Sequence, residues 1–85
     1  MIVDIVVPQL GEGTDAVILV EWHVSVGDTV EEGDILFDVD VDKAVVEVAA
    51  FASGVVVEVI AGDDTEVMPL EVVGRLRTSG QSGQP

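Results

Sequence analysis

Apolar and polar residues alternate with a period of two along most of this chain, and the pattern is sharpest between Ile35 and Ala50. Val41, Val39, Phe37 and Ile35 fall on one face of an extended segment, and Asp42, Asp40 and Asp38 fall on the other. Beyond Lys43, the residues Ala44, Val46, Val48 and Ala50 share a face, with Glu47 opposed to them. With Asp42-Lys43 as a two-residue loop, an antiparallel hairpin pairs Val41 with Ala44, Val39 with Val46 and Phe37 with Val48. A slip of one residue would bury Asp38 and Asp40. Burial therefore selects this register and leaves Lys43 at a solvent-facing tip. Asp-Lys is not the Asn-Gly or Asp-Gly pair usual in such loops, and a type I turn is compatible with it.

The same reading predicts further strands over Ile2 to Val7, Val17 to Val24, Val55 to Ile60 and Leu70 to Leu76, with short pieces at Thr29-Val30 and Thr65-Val67. Turn signals fall at Gly11-Glu12-Gly13, Gly27-Asp28, Gly33-Asp34, Gly54 and Gly62-Asp63. In the second strand the expected core face is Ile18, Val20, Trp22 and Val24, so His23 points outward. No segment has a helical period. Val24-Ser25-Val26-Gly27-Asp28 matches Val59-Ile60-Ala61-Gly62-Asp63 at an offset of 35 residues, Gly27 to Gly62. Two similar halves predict an all-β sandwich with approximate two-fold symmetry. The counterpart of Lys43 is then Thr78, where the chain leaves the domain, which sets tip and exit at opposite ends. Residues 78–85 are rich in Gly, Ser and Gln and read as a flexible linker or tail, leaving one domain over residues 1–77.

Composition narrows the chemistry. Only one Trp and two Phe occur in a chain that is 48% hydrophobic, so the core is built from Val, Ile, Leu and Ala, which favours strands. Seventeen acids against three bases, a net charge of -14, argue against nucleic acid or an anionic membrane and for a basic protein partner. There is no cysteine, so any redox activity arrives with a cofactor. No apolar run approaches the roughly 18 residues of a membrane span, and Met1 leads directly into a strand; the expected location is the cytoplasm of a prokaryote, or the mitochondrial matrix if a leader has been removed.

Lys43 is the only lysine. One amine offered on a tight turn is a candidate for covalent attachment, against the bland alternative of a solvated surface lysine. Gly11-Glu12-Gly13 is a weak phosphate signal because no helix follows it. His23 has no Ser, Cys or metal partner near it in sequence, and no acid spacing matches a calcium loop. No metal site is expected, and the carboxylates read as a solvated face.

Asp38-Val39-Asp40-Val41-Asp42-Lys43-Ala44-Val45-Val46-Glu47-Val48 resembles the hairpin of lipoyl domains from dihydrolipoyl acyltransferases of 2-oxo acid dehydrogenase complexes. Pro8-Gln9-Leu10-Gly11-Glu12-Gly13, Glu21-Trp22, Val26-Gly27-Asp28, Ser53-Gly54-Val55-Val56 and Ala61-Gly62-Asp63 agree in order, and the likeness covers residues 2–77. The chain departs from the family at Val41, where Thr, Gly or Ser is usual, and at Val67-Met68, which replaces a turn glycine often found before Pro69-Leu70. The resemblance implies a flattened barrel of two four-stranded antiparallel sheets, the barrel-sandwich hybrid. It implies lipoate on Lys43, and recognition of the site through Asp40, Val41, Asp42 and Ala44 and through Glu12, Thr14 and Asp15 of the neighbouring loop. It also implies a non-catalytic monomeric carrier within an acyltransferase chain. Its expected partners are a thiamine-diphosphate-dependent decarboxylase, an acyltransferase core, a flavin-dependent dihydrolipoyl dehydrogenase, and a lipoate ligase or lipoyl transferase. The alternatives are a biotin carrier on the same fold, which usually has Met on both sides of its lysine, and a plain β-sandwich interaction module.

Overall fold

The computed structural model describes residues 1–9, 16–41 and 44–78. Among the described residues eight strands are present: β1 (Ile2–Val6), β2 (Val17–Trp22), β3 (Thr29–Val30), β4 (Ile35–Val41), β5 (Ala44–Ala49), β6 (Gly54–Val59), β7 (Thr65–Val67) and β8 (Val72–Thr78). They form two four-stranded antiparallel sheets, one in the order β1-β8-β6-β3 and the other in the order β5-β4-β2-β7. β8 runs through Thr78, which pairs with Gly54.

Each sheet turns one face inward, and the core between them is aliphatic. Ile5, Leu19, Leu36, Val39, Val56, Val67, Val73 and Leu76 are buried around Phe37. Trp22 packs its ring 4.8 Å from that of Phe37 and donates its indole N–H to the carbonyl of Ala61 at 2.7 Å, satisfying the one polar atom it carries inward.

The two-fold relation is exact in register. Adding four to each strand number, cyclically, turns one sheet order into the other. Every pair between β2 and β4 recurs between β6 and β8 at an offset of 37: Ile18 with Asp40 becomes Val55 with Arg77, and Glu21 with Asp38 becomes Glu58 with Arg75. The expected offset of 35, taken from the glycines, is therefore corrected. Backbone conformation explains the discrepancy: Gly27 and Gly33, at φ of 99° and 97°, correspond to Asp64 and Leu70, at 59° and 70°. The left-handed turns repeat, although the glycines that would mark them do not.

The expected inward face of β2 is also corrected. Leu19 is buried and Ile18 is 40% exposed, because a bulge between Leu19 and Glu21 shifts the alternation. Trp22, beyond the bulge, faces inward as expected. A corresponding irregularity between Ile35 and Phe37 lets the consecutive residues Leu36 and Phe37 both reach the core.

Candidate functional site

β4 is an inner strand, held by β5 on one side and β2 on the other. Its pairing with β5 matches Val41 to Ala44, Val39 to Val46 and Phe37 to Val48, the register that burial selects. Phe37 and Val39 anchor the strand from below, each with no exposed surface. The end of this hairpin is thus placed by a fully paired, core-packed strand, and two residues lie between its last described partners. Those residues are Asp42 and Lys43, which fall outside the described residues, as do Glu12, Thr14 and Asp15. Of the other expected site residues, Asp40 and Ala44 are exposed and Val41 is partly buried against the core.

The strands leading to the hairpin end carry their acids outward in cross-strand rows. Glu21, Asp38 and Glu47 lie side by side on β2, β4 and β5, and the next row toward the hairpin end is Glu66, Ile18, Asp40 and Val45. His23 reaches into the first row and bonds Asp38 through Nε2 at 2.9 Å. That hydrogen bond holds the imidazole pKa above its usual 6.5, with the charges of Asp38, Glu21 and Glu47 adding to the effect. The other oxygen of Asp38 is inaccessible and has no hydrogen-bond partner among the described residues. Ligand atoms of Glu21, His23 and Asp38 come within 4.8 Å of one another. Nothing in the sequence revealed this cluster, because the contact spans 15 positions and depends on how the β2 bulge sets the β2–β4 register.

Comparison with known proteins agrees with this geometry. The model of the biotin/lipoyl family, described as "Biotin-requiring enzyme", matches residues 3–76. The succinyltransferase component of the 2-oxoglutarate dehydrogenase complex of Escherichia coli K12 is 35% identical over 82 residues, covering 96% of this chain and 20% of that protein. The acetyltransferase component of the pyruvate dehydrogenase complex of Staphylococcus epidermidis RP62A is 38% identical over 69 residues, covering 81% of this chain and 16% of its own length. The chain therefore spans about a fifth of the length of these curated relatives. Solved lipoyl domains match it almost end to end. The lipoyl domain of the Azotobacter vinelandii 2-oxoglutarate dehydrogenase complex has a TM-score of 0.76 at 31% identity, covering 92% of this chain and 99% of that one. The Escherichia coli succinyltransferase domain also has a TM-score of 0.76, at 35% identity, covering 94% and 100%. By sequence and by fold alike, this chain belongs to the biotin/lipoyl attachment family and is a lipoyl domain of the dihydrolipoyllysine acyltransferase type.

Proposed function

We propose that the chain is a non-catalytic carrier on which lipoate is joined to Lys43 by an amide bond, and that Asp42, Ala44 and the residues around them are read by the enzymes that load and use the arm. The single observation behind this reading is that the chain's only lysine falls in the two-residue interval between the opposed Val41 and Ala44. Residues present here suit the group: attachment needs one nucleophilic amine, and the paired strands beneath it give a long arm a fixed base. The uncharged Lys43 amine attacks an activated lipoyl carboxyl, expels the activating group and loses a proton. When bound, lipoate supplies a strained disulfide that accepts an acyl group together with two electrons.

The relatives named above are components of 2-oxoglutarate and pyruvate dehydrogenase complexes. On that basis the partners proposed are the thiamine-diphosphate-dependent decarboxylase that charges the arm, the acyltransferase core that unloads it to coenzyme A, and the dihydrolipoyl dehydrogenase that reoxidises it. Lipoylated domain, incubated with the decarboxylase of the Escherichia coli 2-oxoglutarate complex, thiamine diphosphate and 2-oxoglutarate, should gain the mass of one acyl group. The same preparation made with Lys43→Arg should gain none. Acylation that persists in the variant, or biotin taken up in preference to lipoate, would overturn the reading.

A further inference from the structure

The internal two-fold supplies a control for the outer faces of the two sheets. Five charged or polar outward positions on the β5-β4-β2-β7 sheet are Glu21, Asp38, Glu47, Asp40 and Glu66. Their counterparts on the β1-β8-β6-β3 sheet are Glu58, Arg75, Asp4, Arg77 and Thr29. The backbone and pairing are equivalent, yet the first set carries five acids and the second two acids and two arginines. On the second face the charges are internally matched: Arg75 donates to Asp4 at 3.1 Å and to Glu58 at 2.7 Å. At the equivalent point on the first face a third carboxylate, Asp38, stands between Glu21 and Glu47, and among the described residues His23 is the one cationic group paired with it.

Acidity distributed for solubility alone has no reason to spare one of two equivalent faces. Both faces keep apolar surface in the equivalent row: Ile18, 40% exposed, and Val45, 61%, flank Asp40 here, while Ile2, 51% exposed, flanks Arg77 on the other sheet, so it is the charge around the apolar residues that separates the two faces. A patch of exposed aliphatic residues set among unneutralised carboxylates is complementary to a surface with apolar residues ringed by Lys and Arg. This row lies next to the pair Val41–Ala44 that ends the hairpin.

We propose that the outer face of the β5-β4-β2-β7 sheet, centred on Ile18, Asp40 and Val45, is a docking surface for a basic protein partner, and that the opposite sheet is not. The proposal deepens the carrier reading by assigning partner contact to one of the two faces, and it rests on that reading only for what the contact accomplishes. His23 gives the face a signature. Just beyond the end of β2, its imidazole faces Glu21 on β2, Asp38 on β4 and Glu47 on β5; as it loses its proton the patch gains one net negative charge, and a cationic partner binds more tightly.

The test uses the unlipoylated domain, labelled with nitrogen-15, and a short synthetic peptide of Lys and Leu at low salt, with NMR shifts mapping the contact. Shifts should concentrate on Ile18, Glu21, Asp38, Asp40, Val45 and Glu47. Asp40→Asn combined with Glu47→Gln should weaken binding about fivefold or more, while Glu32→Gln, a single neutralisation beside β3, should change it less than about twofold. Binding should tighten roughly twofold to fivefold between pH 6 and pH 8, and His23→Gln should flatten that dependence. Shifts that spread over all acids, shifts that centre on Asp4 and Glu58, absence of binding, or a pH dependence untouched by His23→Gln would each overturn the assignment. Because no lipoate is involved, failure here is separable from failure of Lys43 to be modified, which is read by mass.

Discussion

The β4–β5 pair and the β8–β1 pair are the same backbone used twice, differing in how the chain runs through them. Val41 pairs with Ala44 across two intervening residues, whereas their two-fold counterparts, Thr78 and Met1, are the far ends of the described chain. The Thr78 amide still donates to the Met1 carbonyl at 2.8 Å, so the second pair is closed by hydrogen bonding where the first is closed covalently. A symmetric scaffold thus offers two equivalent ends. The sole lysine falls in the interval at one, and the described chain begins and ends at the other. The core breaks the symmetry as well. Trp22 and Phe37 are matched by Val59 and Gly74, and a Cβ placed on Gly74 would come 2.8 Å from the Glu58 carbonyl and 3.1 Å from the Trp22 ring. Large and small residues have been exchanged across the axis so that one indole fills space on both sides of it.

That exchange is the place to break the comparison hardest. Phe37→Ala should lower stability by about 3–5 kcal/mol, since a ring with no exposed surface leaves a cavity that strands on both sides hold open. Gly74→Val should lower it by about 1–3 kcal/mol through overpacking against Trp22 and the β6 backbone. Urea unfolding followed by Trp22 fluorescence measures both. A Gly74→Val variant within about 0.5 kcal/mol of the parent would show that the indole does not need this space.

Leu70 tests the turns. Its φ of 70° and 61% exposure pair a left-handed backbone with a side chain that packs little, while its counterpart Gly33 takes the same conformation without penalty. Leu70→Gly should stabilise by about 0.5–1 kcal/mol, the relief of the left-handed strain less the added freedom of the unfolded chain. A loss of stability would mean that the Leu70 side chain contributes more than its exposure implies.

The smallest expected effect lies in His23. Its folded pKa is raised by the bond to Asp38, so its contribution to stability is present below the unfolded value of 6.5 and is lost as pH rises through the higher folded value. Asp38→Asn should return the imidazole titration, followed by NMR of its ring protons, toward 6.5. An unchanged titration would show that Asp38 is not the source of the shift.

What the sequence revealed follows from where alternation is uninterrupted. The β4–β5 register was legible because apolar residues and acids alternate without a break from Phe37 to Asp42, and a wrong register would bury Asp38 and Asp40. The phase of Ile18 and Leu19 was hidden because a bulge has no marker residue in Val17-Ile18-Leu19-Val20. The repeat was visible but misaligned by two positions, since Asp64 and Leu70 do the conformational work of glycine. The facing of His23 and Asp38, and the contrast between the two outer faces, required the pairing of β2 with β4 and of β6 with β8, which local pattern does not encode.

Attachment at Lys43 is the central claim. Incubated with lipoate ligase, lipoate and ATP, the protein should gain the mass of a single lipoyl group, and Lys43→Arg, which keeps the charge but lacks the nucleophilic amine, should gain none while giving an unchanged urea transition. A folded parent that stays unmodified, or a variant that is still lipoylated, would contradict the account.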